Sequence, residues 1–349
     1  MKVFLRILLS VGISALLLAL LASLSDADFG EAWRRLRSLP PEIFFAALGT
    51  HMCTYCFRAL RFRILIPRET RPGFRRVLTI SAAHNMASYL LPAKTGEASW
   101  VVYLKSYCGV RASTGLASLV VARLLDAAVL CSALALSCLY LGLSGDYEYL
   151  DFLSWLGWSL VGLMLVFGLF AWRGDWLVKL VTAVLKRARL HHWNLGEKFL
   201  ANLYQVALAL RDAGNGHRLG MAAALTIPVW ACVFYFYHLL ARHLGISPEY
   251  SYFETIFGSS LAVMANLLPI NGMAGAGTQE GGWTAGFALL QVPKDVALET
   301  SLGVHAVQLF NVVAMGVVAH LVMGALPRLS HPDPDEPAPQ GEGELPPVD

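Results

Sequence analysis

The stretch "SYLLPAKTGEASW", residues 88–100, interrupts an apolar run with proline, glycine, lysine and glutamate. Irregular, charged backbone at membrane depth is tolerated only where it is buried in protein or beside a water-filled cavity. A second stretch, "MANLLPINGMAGAGTQE" at 264–280, follows the same plan as "MASYLLPAKTGE" at 86–97. Each runs Met-Ala, a polar residue, Leu-Leu-Pro, a glycine-containing loop and Glu. The surrounding segments, 78–105 and 253–292, are apolar on both flanks and broken in the middle. Each therefore predicts a re-entrant helix hairpin, entering and leaving the membrane on one side.

The rest of the chain supplies the membrane. Of 349 residues, 56% are hydrophobic and only 15% charged, and the mean hydropathy is +0.55. A soluble domain carries more charge, so the fold class is an all-α polytopic membrane protein. Residues 3–24 read as an uncleaved first helix rather than a signal peptide, because the apolar stretch is long and many spans follow. Further spans near the roughly 20 residues a bilayer needs fall at 43–60, 115–143, 150–172, 219–244 and 297–326. The expectation is six full spans plus two hairpins.

Charge orients them. Residues 58–76 carry seven arginines and one acid, and 173–218 carry eight Lys or Arg and three acids. Both read as cytoplasmic. Residues 144–151 have three acids and no base, and 245–252 one acid and no base, so both read as external. Six spans with both termini inside satisfy all four loops, in a bacterial cytoplasmic (inner) membrane. Within the insert at about 173–218, residues 176–188 have the spacing of an amphipathic surface helix. The acidic, proline-rich tail, 329–349, predicts disorder. The six cysteines fall mostly inside apolar runs and read as packing residues, with no disulfide or zinc site.

The broken segments also read as copies of one another. Aligning Val110 with Val292 places residues 120–130 over 302–312, Arg123 over His305 and Asp126 over Gln308. Three full spans separate the copies, so one hairpin opens inward and the other outward. That is an inverted-topology repeat, with halves around 78–143 and 253–326. Such repeats, with interrupted helices at matching positions, are the pattern of transporters, since a fold equal to its own inverse can face either side at similar energy.

These residues resemble the flippase-like transmembrane region of bacterial lysyl-phosphatidylglycerol synthases and the stand-alone membrane proteins that share it. The first signature is carried by Ser88, Leu91-Pro92, Lys94 and Gly96-Glu97, then Arg123 and Asp126 downstream. The second is carried by Asn266, Leu268-Pro269, Gly272, Gly275, Gly277 and Glu280. The resemblance covers residues 1–328. Trp100 stands where the family often has a second basic residue, and His305 or Gln308 where its second half often has Arg. The chain ends after the last span, without the soluble aminoacyl-transferase domain. The resemblance therefore implies lipid translocation and not lysine transfer.

The substrate-binding candidates are Lys94, Glu97, Arg123, Asp126, Asn266, Gly272, Gly275, Gly277, Glu280 and His305. A charge at the centre of a span costs about 2.5–3.5 kcal/mol or more, so such groups belong beside a polar cavity. Lys94 is expected to hold an anionic head group, with Glu97 pairing with it or carrying a proton. Arg123 and Asp126, three apart on one helix face, form either a structural pair or a phosphate site, for which the guanidinium fork is suited. Gly272, Gly275 and Gly277 allow close approach to a ligand or simply a tight turn. His305 can titrate or pack; His51, His84 and His238 carry less.

No catalytic motif, cofactor, metal or nucleic-acid site is legible. The expected function is a lipid transporter moving an anionic phospholipid or a polyprenyl-phosphate-linked lipid between leaflets of the membrane bilayer by alternating access, coupled to a gradient or passive. A homo-oligomer is compatible with this. The alternatives are an integral-membrane lipid transferase or phosphatase, and a non-transporting partner of a cell-envelope enzyme.

Overall fold

The computed structural model describes residues 2–144, 151–163, 216–267 and 273–327. Nearly all of the expected insert, its amphipathic helix at 176–188, most of the loop at 144–151, Gly272 and the tail at 329–349 lie outside the described residues.

The described chain is helical, and the helices differ in length in an informative way. Four are long: α3 (Pro41–Leu65), α6 (Ala112–Ser144), α8 (Gly216–Leu244) and α11 (Lys294–Gly324). These four are long and apolar enough to cross a membrane, and they coincide with four of the six expected spans. The expected first span is a helix, α1 (Lys2–Ser25). The span expected at 150–172 is described only over 151–163, where it is helical (α7). Between α1 and α3 lies the short, basic α2 (Phe29–Arg37), capped by Asp28, whose side chain accepts from Gly30 N at 2.7 Å. Arg35 ties α2 to the ends of two long helices, through Glu299 at 3.2 Å and the Leu244 carbonyl at 3.2 Å.

The remaining helices are short and come in pairs. The first pair is α4 (Phe74–Leu90) and α5 (Ser99–Cys108), joined by a tight 3-10 turn at Pro92–Ala98. The second is α9 (Tyr252–Leu267) and α10 (Thr278–Ala288). Over the described residues these helices run to 17, 10, 16 and 11, short of the roughly 20 that a crossing needs. Proline sets the first break. Leu91 is extended (φ −78°, ψ 133°), as a residue before proline must be, and α4 stops there. Glycine then lets each pair fold back. A Cβ at Gly96 would run into the Ala87 carbonyl, and one at Gly286 into the Gly258 carbonyl. The first turn thus closes only because Gly96 lacks a side chain, and the two helices of the second pair approach closely only because Gly286 does.

The core is two apolar clusters with a polar layer between them. One cluster holds the first hairpin against α3, and includes Phe62, Ile80, Trp100 and Leu104. The other holds the second hairpin against α8, and includes Phe234, Leu240, Trp283 and Phe287. Each long helix passes from one cluster to the other, and its polar residues sit at the crossing. On α3, His51 and Thr54 lie between Ala47 of one cluster and Tyr55 of the other. On α6, Asp126 lies between Leu125 and Leu130. On α8, Thr226 lies between Ala222 and Val229, and on α11, Gln308 and Asn311 lie between Val307 and Ala319.

One expectation is corrected here. Arg58, Arg61 and Arg63 are not in a loop but in α3, which runs on to Leu65. The loop between α3 and α4 is short, and Arg71 closes it by donating to the Ile64 and Ile66 carbonyls at 3.3 and 3.0 Å.

Candidate functional site

The polar layer opens into a cavity of ≈ 590 Å³. The first hairpin contributes Asn85, Ser88, Tyr89 and Glu97 to its wall, and the second contributes Asn266. Arg58 enters from α3, Arg123 from α6, Trp230 and Tyr237 from α8, and Gln308 from α11. Apolar side chains such as Leu119, Val120 and Val233 complete the lining. The combination of an apolar wall with a few converging polar groups is the usual character of a small-molecule site.

Two carboxylates organise the charge. Glu97 accepts from Arg123 through Nη2 at 2.6 Å and Nε at 3.1 Å, and from the Ser88 hydroxyl at 2.5 Å. Asp126 lies buried behind the wall and accepts two parallel bonds from Arg61, at 2.5 and 3.2 Å. It also accepts from Trp230 Nε1 at 3.1 Å and from Arg123 Nη1 at 3.3 Å. Arg123 therefore bridges the two acids, linking the first hairpin's turn to α6 and α3. Such bidentate, charge-assisted bonds are the strong ones in an interior of low dielectric constant.

The second half holds its carboxylate differently. Glu280 sits in the first turn of α10, where it accepts the Gly277 N–H at 2.7 Å. His305 Nδ1 lies 2.5 Å from Glu280 Oε1, and its Nε2 lies 3.1 Å from the Ala274 carbonyl. Both ring nitrogens thus face oxygens. Both contacts are hydrogen bonds only when the pair carries one proton beyond that of a neutral imidazole. Ala274, Gly275 and Gly277 are left-handed (φ 57°, 84° and 86°), and a Cβ on either glycine would strike Asn266 or Leu17. These glycines serve the turn.

The two hairpin tips touch. Tyr89 donates to Gln279 Oε1 at 3.1 Å, Asn266 donates to the same oxygen at 2.9 Å, and Gln279 donates to Gln308 at 3.0 Å.

The family model described as "Lysylphosphatidylglycerol synthase TM region" matches residues 7–316, which takes in every element named above except the start of α1 and the end of α11. The chain belongs to that family. Membership gives it a lipid-related role in a membrane. No curated protein and no solved structure matches it.

The structure brings together Glu97, Arg123 and Asp126, and places Glu97, Arg123 and Asn266 on the cavity wall. It brings Glu280 and His305 together, but buried and away from that wall. The backbone of Lys94 lies in the first turn, while its side chain and Gly272 fall outside what is described. Glu97 takes a guanidinium from Arg123, 26 residues on and in another helix, while the pairing expected with Lys94 lies outside what is described. Sequence reasoning missed Arg58, Arg61, Asn85, Gln279 and Trp230. A signal for the arginines was present, because Thr54, Arg58, Arg61 and Leu65 have helical spacing and so share one face of α3.

The structure also shows one contact that no motif announced. His84 Nδ1 lies 2.9 Å from Ser99 Oγ, and its Nε2 lies 3.9 Å from Glu97 Oε2. His84 is buried, and neither it nor Ser99 lines the cavity.

Proposed function

We propose that the protein is a lipid flippase, moving an anionic phospholipid or a polyprenyl-phosphate-linked lipid between leaflets by alternating access. The single observation that carries this reading is the cavity. It is lined by Glu97 and two arginines, and it lies where the tips of two short helix hairpins meet, midway along helices that are membrane-length. The head group would pass through this cavity while the tails stay in lipid. In this reading the hairpins are re-entrant and the halves form an inverted repeat. The N- and C-termini lie on the cytoplasmic side of a bacterial inner membrane. The equivalent placing of Glu97 with Arg123 and of Glu280 with His305 supports the repeat.

A lipid-modifying enzyme is the rival, favoured by the Ser99–His84 contact, since a serine beside a histidine can act as an activated nucleophile. Its position off the cavity wall counts against it.

One experiment separates the two. The purified protein is reconstituted in liposomes with fluorescent phosphatidylglycerol and polyprenyl-phosphate probes. Leaflet exchange is followed by quenching, and the extracted lipid by mass spectrometry. Protein-dependent exchange of an unmodified probe, reduced by Glu97→Gln, is the expected outcome. A probe of altered mass, lost in Ser99→Ala, would establish the enzyme instead.

A further inference from the structure

Two acids and three arginines meet around the cavity, and both acids are taken. Asp126 is held by Arg61 and Arg123, and Glu97 by Arg123. The third arginine, Arg58, lines the cavity and forms no ion pair among the described residues. Its Nη1 donates to Asn85 Oδ1 at 2.8 Å, a neutral amide. Asn85 is itself oriented, since its Nδ2 donates to the Tyr55 hydroxyl at 2.7 Å. Tyr55 is buried in the first hairpin's apolar cluster. A guanidinium is thus aimed by a relay of neutral groups at the cavity wall, with Asp126 acting on it only from beyond ion-pair distance.

A charge so placed is costly in a membrane protein, and a cavity-facing cation with no direct ion pair marks a place where an anionic ligand would be stabilising. Among the described residues, three guanidinium charges stand against two carboxylates, an excess of one positive charge that complements a single phosphodiester. The guanidinium suits phosphate because it offers several donors in a fixed plane.

We propose that Arg58 is the anion anchor of the cavity, binding the phosphate of a monoanionic lipid head group while Asn85 holds it in register. This rests on the reading of the cavity as the head group's path, and it adds charge selectivity. The cavity should take phosphatidylglycerol in preference to phosphatidylcholine, whose choline cancels the phosphate charge.

The test uses the full chain in nanodiscs and measures binding of fluorescent phosphatidylglycerol and phosphatidylcholine, with leaflet exchange in proteoliposomes as a separate readout. Arg58→Gln should weaken phosphatidylglycerol binding by about tenfold or more, the worth of one charge-assisted bond, and leave phosphatidylcholine unchanged. Arg58→Lys should retain part of the preference. Asn85→Ala, which keeps the charge but frees its direction, should lower phosphatidylglycerol binding alone, by about threefold. Equal losses for both lipids, or none, would overturn the proposal. If Arg58→Gln does not yield folded protein, the Lys and Asn85→Ala variants decide by the same criterion. Glycerol 3-phosphate and inorganic phosphate are added as competitors. If they bind in an Arg58-dependent way and neither lipid does, the anchor serves a soluble phosphate and the lipid assignment fails. Selective binding of phosphatidylglycerol without exchange would leave the anchor standing and remove the flippase reading instead.

Discussion

The Glu97–Arg123 and Glu280–His305 pairs occupy matching places, each joining a hairpin's turn to the long helix that follows. Their surroundings differ sharply. The side chains of Glu97 and Arg123 are 25% and 44% exposed, whereas those of Glu280 and His305 are 3% and 7% exposed. The first pair extends into a chain of charges through Asp126 to Arg61. The second turns inward: Glu280 caps its own helix at Gly277, and His305 reaches the Ala274 carbonyl. One architecture therefore carries an accessible pair whose partners, in the proposed reading, exchange for a ligand's groups. It also carries a sealed pair that locks a glycine-rich turn. If the halves interchange during transport, the sealed pair is the one that would open in the other state.

The largest effect expected from this difference is on stability. Glu280→Ala strips His305 of its carboxylate and Gly277 of its acceptor at a buried site, and should cost about 3–5 kcal/mol. Glu97→Ala removes a partly exposed acid, and should cost about 1 kcal/mol or less. Thermal unfolding of both variants in detergent measures the gap. Similar losses would mean that the difference in burial has no energetic content, and the comparison would collapse.

The close backbone approaches within each hairpin supply the next largest effect. Both Gly96→Ala and Gly286→Ala place a methyl group against a backbone carbonyl of the facing helix. Each should lose about 1–3 kcal/mol, since neither neighbour is a flexible side chain. Comparable losses in the same unfolding assay would show that the first hairpin's turn and the second hairpin's helix contact both depend on a missing side chain, and a harmless Gly96→Ala would show that the turn does not.

These pairs were only partly legible in the sequence. The breaks were, because Pro92, Gly96 and Glu97 contradict an apolar run locally, and the "LLP" strings mark both turns. The partners were not. Glu97 has a lysine three residues before it, and sequence distance favoured that neighbour over Arg123 in the next long helix. The pairing across the hairpin depends on how α5 lies against α6, which no local pattern encodes. Arg58 and Arg61 were hidden by a different effect. Loop counting assigns any arginine near the end of an apolar stretch to the cytoplasm, yet α3 continues to Leu65 and carries both inside. The burial of Glu280 was equally out of reach, because the neighbours that seal its turn include α1, more than 250 residues earlier.

Function should separate the two sites in the opposite order from stability. Glu97→Gln keeps an oxygen for Ser88 but removes the charge that holds Arg123 at the cavity wall. Leaflet exchange should fall about tenfold, corresponding to about 1.4 kcal/mol, with little change in unfolding temperature. An unchanged exchange rate would leave Glu97 as a structural partner of Arg123 and weaken the assignment of the cavity as the transport path.

The smallest effect tests whether Ser88 acts through Glu97 or on its own. The Ser88 hydroxyl donates to Glu97 Oε1, and Ser88 also lines the cavity, so contact with a ligand is open to it. Its counterpart Asn266 instead donates to Gln279, at the contact between the hairpin tips. Ser88→Ala removes one hydrogen bond to a carboxylate and should slow exchange about threefold. The double variant with Glu97→Gln is the discriminating measurement, since residues in one network are non-additive. If Ser88 only positions Glu97, its removal adds almost nothing once the charge is gone. Full additivity would mean that the hydroxyl touches the passing head group directly, and the first hairpin would then contribute two independent contacts where the charge network alone provides one.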